Sequence, residues 1–66
     1  MLENRKIQIL LSIPEVAKIL NISRALAYKL VQAGEIRSVH IHTSRRVRYE
    51  DLEKYIEINL RPFERN

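Results

Sequence analysis

Two short amphipathic stretches separated by a two-residue break constrain this chain more than anything else in it. Residues 16–36 read VAKILNISRALAYKLVQAGEI. Val16, Ala17, Ile19 and Leu20 recur at helical spacing and give one apolar face. Leu26, Ala27, Leu30 and Val31, spaced i, i+1, i+4, i+5, give a second. Between them lie Asn21, which tolerates a left-handed backbone, and Ile22, which can plug a corner. Ser12 reads as the N-cap of the first helix and Glu15, three residues on, completes an S-x-x-E capping box. Pro14 falls in the first turn, where its missing N–H costs nothing. Ser23 reads as the N-cap of the second helix and Gly34 as its C-terminal cap. Two helices of this length, so closely joined, must cross and pack on each other.

After Gly34 the period changes. Val39 and Ile41 alternate with His40 and His42, and Val47 and Tyr49 alternate with Arg46 and Arg48. Two alternating runs around a polar turn of Thr43 and Ser44 predict a β-hairpin, with its apolar side chains facing the helices and Arg46 and Arg48 outward. Strict alternation turns Arg45 inward, although its place at the tip offers an escape. Glu50 and Asp51 put negative charge where a third helix would begin. Leu52, Tyr55, Ile56 and Leu60 form that helix's expected buried stripe, and Pro62 ends it. Upstream, Ile7, Ile9 and Leu11 suggest a short strand or an extended lead-in. The expected organisation is a lead-in over 1–11, one domain over 12–60 and a tail over 61–66. The fold class is mostly α with a small β-hairpin: helix, turn, helix, two-stranded wing, helix.

Composition narrows the function. Sixty-six residues make one domain at most, burying about 60% of the unfolded surface. Cysteine is absent, so neither a disulfide nor a thiolate metal site is available. No apolar run approaches the roughly 18 residues of a membrane span. The start, MLENRKIQILL, does not look like a secretory signal, so the cytoplasm is the expected location. Gly34 is the only glycine, which rules out a Gly-rich phosphate loop, and no nucleophile, base and orienting group can be assembled. No enzyme activity and no cofactor are expected. His40 and His42 make an H-x-H pair with no further ligand to complete a metal site.

The net charge is +4, and its distribution is uneven. Residues 24–48 carry Arg24, Lys29, Arg37, Arg45, Arg46 and Arg48 against Glu35 alone, whereas residues 49–66 are net acidic. This fits one side turned to a polyanion and another to water. Arg24 and Lys29 occupy the early part of the second helix, which in a helix-turn-helix reaches base edges or nearby phosphates. Tyr28 shares that face and reads either as a DNA contact or as a partly buried aromatic packed on the wing. Gln32 lies farther along it. Ser23 is an N-cap first, with neighbouring N–H groups that could receive a phosphate. On the wing, Thr43, Ser44, Arg45 and Arg46 are candidate contacts. Arg48 reads equally well as a contact and as a surface partner of Glu50 or Asp51.

The order and spacing of these pieces resemble the excisionase-type DNA-binding domain, the small branch of the MerR-superfamily winged helix-turn-helix. SIPEVAKILNISRALAYKLVQAGEI and VHIHTSRRVRYEDLEKYI carry the resemblance, which runs from about Leu11 to Ile58. The chain departs from the family pattern at Asn21 and His42, where glycine is common, and at Ala27, where a branched aliphatic is common. The resemblance implies double-stranded DNA as partner, with the second helix in the major groove and the wing in or beside the minor groove. It also implies excision control, with an integrase as partner. One module of this size reads few base pairs, so further copies are expected on repeated sites, bending the DNA. Two alternatives stand beside it: a small phage or mobile-element transcriptional regulator, and a protein-interaction module with a basic docking face. The tail, with Arg61 and Phe63, reads as either a partner contact or a frayed end.

Overall fold

The helix boundaries follow from capping groups that act locally. In the computed structural model, which describes residues 10–62, Ser12 caps α1 (Ile13–Leu20). Its Oγ accepts from the Glu15 N–H at 3.2 Å, and Glu15 Oε1 accepts from the Ser12 N–H at 2.8 Å. The expected capping box is therefore formed. At the other end Asn21 adopts a left-handed backbone (φ 59°, ψ 47°). The Asn21 N–H donates to the Lys18 carbonyl and the Ile22 N–H to that of Ala17. These two bonds are a Schellman motif, which satisfies the last carbonyls and turns the chain sharply. Ser23 caps α2 (Arg24–Gln32), its Oγ accepting from the Leu26 N–H at 3.0 Å. Gly34, at φ 79°, repeats the same device: its N–H donates to Val31 and the Glu35 N–H to Leu30.

A three-stranded antiparallel sheet closes the fold. β1 (Leu10–Leu11) precedes α1, and β2 (Val39–Ile41) and β3 (Ser44–Arg48) form the wing. The order is β1-β3-β2, so the lead-in adds a strand that a two-stranded wing lacks. Leu11 pairs with Val47, and both are buried. Ile7 and Ile9, the rest of the expected lead-in strand, lie outside the described residues. α3 (Tyr49–Ile58) follows β3 with no intervening residue.

The core gathers Leu11, Ile13, Val16, Ala17, Ala27, Val31, Ile36, Val47 and Leu52. Leu20, Ile22, Leu30 and Tyr55 pack around it. Ala17 and Ala27 are both buried and add little bulk where α1 packs on α2. Ile36, Leu52, Val16 and Val47 are the largest fully buried side chains, each contributing about 1.5–3 kcal/mol of burial. The mostly α fold with a β-hairpin wing is thus the one expected from the sequence.

Several details differ. Ile19, Leu26, Ile56 and Leu60 were expected in buried stripes but are exposed. A domain this small covers only the centre of each helical stripe and leaves the flanks in water. Ile36 is buried although it lies beyond the periodic part of α2. The wing turn is His42–Thr43: it starts at His42, the position where the family pattern begins it, and not at Thr43 as the alternation suggests, because His42 takes the positive φ (58°) and Ser44 already pairs with Ile41. His42 is therefore not a strand partner of His40. Val39 opposes Arg46, and directly opposed residues share a face, so Val39 and Ile41 lie on the Arg46 side of the ribbon and not beside Val47. Tyr49 is the first residue of α3 rather than the end of a strand.

Candidate nucleic-acid interface

α2 and the wing tip meet across a cleft of about 250 Å³. Tyr28 lines it from α2, Thr43, Ser44, Arg45 and Arg46 from the wing, and Ser12, Ile13 and Pro14 from the start of α1. Tyr28 is 46% exposed, so its ring opens on this cleft rather than filling the core. The start of α1 as a cleft wall was not foreseen in the sequence, and nothing local to those residues signals it.

The remaining candidates are arranged around this centre. Arg24, Tyr28 and Gln32 recur at i, i+4, i+8 and so form one row along α2. All three are exposed, as is Lys29 on the adjacent row. Ser23 caps the helix with its hydroxyl oxygen, which makes it a structural residue first. Thr43 is exposed in the turn and Ser44 is half-buried. Arg45 reaches across the ribbon, its Nη1 donating to Ser38 Oγ at 3.1 Å, and Arg46 Nη1 donates to the Arg45 carbonyl at 3.0 Å. Among the described residues no carboxylate pairs with Arg24, Lys29, Arg45 or Arg46. Their charge is therefore available to a polyanion.

Arg48 is placed differently. Its Nε donates to Asp51 Oδ2 at 2.7 Å and its Nη2 to Asp51 Oδ1 at 3.1 Å, a bidentate fork. Glu50 lies 3.8 Å from its Nη1. Asp51 is only 6% exposed and is the one buried polar residue of the described core. The hydrogen bonds from Arg48 hold its carboxyl below the usual carboxylate range against the opposing effect of burial, and Arg37 and Lys54 add attraction from farther away. The i, i+3 spacing of Arg48 and Asp51 is visible in the sequence, but it suggests an exposed pair; the burial of the carboxylate comes only from packing.

A larger open groove, about 550 Å³, runs along α3 and includes Tyr49, Glu53, Lys54, Ile56 and Glu57. Its acidic rim is unsuited to nucleic acid, so the charge distribution selects the smaller cleft. Among the described residues no group of three His, Cys, Asp or Glu comes together to hold a metal, and no helix is long and apolar enough to cross a membrane.

A family model described as a helix-turn-helix domain matches residues 10–59, 50 of the 66. No curated protein and no solved structure matches the chain. A helix-turn-helix domain supports sequence-specific binding with DNA as the partner, and such domains are typically not enzymes. The match extends from β1 through α3, over more than half of the chain, and includes every residue that lines the cleft, and so this chain belongs to the helix-turn-helix domain family.

Proposed function

We propose that this chain is an excisionase-type double-stranded DNA-binding protein. It would lay α2 in the major groove and rest the wing tip in or against the adjacent minor groove. The observation that carries the DNA-binding part is the shared cleft: Tyr28 on α2 and Thr43–Arg46 on the wing line one space, rimmed by cations that no carboxylate among the described residues pairs with. Arg24 has the reach to grip guanine O6 and N7, worth about 1–3 kcal/mol of discrimination. Arg45 and Arg46 suit the concentrated negative potential of a narrow minor groove. Arg48, held by Asp51, contributes less to DNA than the other wing arginines.

Size supports the rest of the reading. One module of this kind reads few base pairs, so useful specificity requires several copies or a partner. Several copies on repeated sites, bending the DNA beside an integrase, meet that requirement, as does the sequence resemblance. The test has two stages. Affinity for a selected duplex should fall with salt at a log–log slope of about −4 to −5, as about 4–6 phosphate contacts predict. Flat salt dependence, or preference for an acidic protein over DNA, defeats DNA binding. Footprinting should then show protection repeated along the DNA, and addition of protein should raise excision by a cognate integrase. A single protected site overlapping a promoter, with no effect on recombination, would make the chain a transcriptional regulator instead.

A further inference from the structure

The wing and α3 share a residue at their joint. Arg48 ends β3 and also occupies the N-cap of α3, where the usual Ser, Thr, Asp or Asn would accept a hydrogen bond from the first helical N–H groups. A guanidinium cannot accept, and no side-chain cap bond is made. The side chain turns instead to Asp51, the third residue of the helix, with two parallel bonds. A capping box is thereby replaced by a cation gripping the carboxylate directly. The next residue, Leu52, is fully buried, as is Val47, the residue before Arg48. The fork is therefore anchored to the core from both of its ends. Two residues up the same strand, Arg46 lines the cleft that Tyr28 also lines.

The pair is only half-buried, Arg48 being 39% exposed, so it is weak evidence for stability; what a two-bond fork constrains is direction. Here it ties the end of β3 to the first turn of α3. We propose that Asp51 is a positioning residue for DNA binding. By holding Arg48 in a two-bond fork it sets the angle of the wing against α2, so that Arg46 and the tip meet the minor groove while α2 occupies the major groove. The inference rests on the proposed DNA-binding function and adds to it a residue that touches no DNA.

The test is a double-mutant cycle on the full chain. Affinity for the selected duplex is measured by fluorescence anisotropy at a temperature where circular dichroism shows every variant folded. Asp51→Asn should weaken binding about five- to tenfold, the size of coupling expected within one connected network. In an Arg46→Ala background the additional loss should shrink to about twofold or less, because the misaimed contact is already gone. In an Arg24→Ala background it should keep its full size. A merely stabilising pair would not distinguish the two backgrounds. Equal losses in both, no loss, or tighter binding through a released Arg48 would each overturn the proposal. If Asp51→Asn does not fold, Arg48→Lys, which keeps the charge and loses the fork, carries the same comparison. A wild-type chain that binds no duplex would instead defeat the DNA-binding reading itself, a different result from additive losses in a chain that binds.

Discussion

Asn21 and His42 both adopt left-handed backbone, at φ 59° and 58°, yet they should respond differently to glycine. A Cβ in this region costs roughly 1–2 kcal/mol, which glycine avoids. Glycine in turn loses about 0.5–1 kcal/mol through the greater freedom of the unfolded chain. For His42 the difference leaves His42→Gly more stable by about 0.5–1 kcal/mol. In a domain of this size, about 4–8 °C accompanies each kcal/mol, so Tm should rise by about 2–8 °C. Asparagine is the side chain best suited to this conformation after glycine, and Asn21 holds the C′ position of a formed Schellman motif. Asn21→Gly should therefore stay within about 0.5 kcal/mol of wild type. Reversible thermal unfolding followed by circular dichroism measures both. A lower Tm for His42→Gly, or a larger gain for Asn21→Gly than for His42→Gly, would refute the view that backbone strain is concentrated at the wing turn.

The Arg48–Asp51 pair should be asymmetric in urea denaturation. Arg48→Ala leaves a buried carboxylate without its hydrogen bonds and should lower the urea midpoint more than Asp51→Asn, which should cost about 1–2 kcal/mol because Arg48, 39% exposed, can turn to water. The same pair predicts an acid limb. Because Asp51's folded pKa is depressed, its stabilisation is fully present above the unfolded value near 3.9 and is lost as pH falls through the lower folded value. Tm measured against pH should therefore decline in acid less steeply for Asp51→Asn than for wild type; equal slopes would remove Asp51 from the explanation. On DNA, Arg24→Ala should relax sequence preference in a binding selection, while Arg46→Ala should weaken all duplexes alike and make the salt slope shallower by about 1. A fall in Tm with no change in binding for both would place the DNA face elsewhere.

What was legible in the sequence was what is decided within a few residues. Ser12 with Glu15, Ser23, and the left-handed positions Asn21 and Gly34 mark helix ends through hydrogen bonds to their own neighbours, and the structure forms each of them. The alternation alone puts the wing turn one residue late because Thr43–Ser44 and His42–Thr43 are both polar pairs and no glycine flags where the positive φ falls; only the family pattern marks His42. Which flank of a helical stripe is covered depends on neighbours distant in sequence. Ile19 and Leu26 therefore read like Val16 and Ala27, and only packing separates them. The same holds for Ile36, which extends the core past the cap of α2 and carries no periodic signal. For the candidate site, the residue types on α2 and the wing were readable, but their convergence on one cleft with the start of α1 was not. Nor was the burial of Asp51, which comes from the packing of α3 against β3.

The proposed function depends above all on α2 and the wing tip forming one surface for DNA. The most direct measurement is a titration of the 15N-labelled chain with a selected duplex, read as amide and side-chain shifts. The largest changes should fall at Arg24, Tyr28 and Lys29 and at His42 through Arg46, saturating together, with Glu53 and Glu57 on α3 nearly still. Changes concentrated on α3, or helix and wing responses that saturate at different DNA concentrations, would contradict the proposed function.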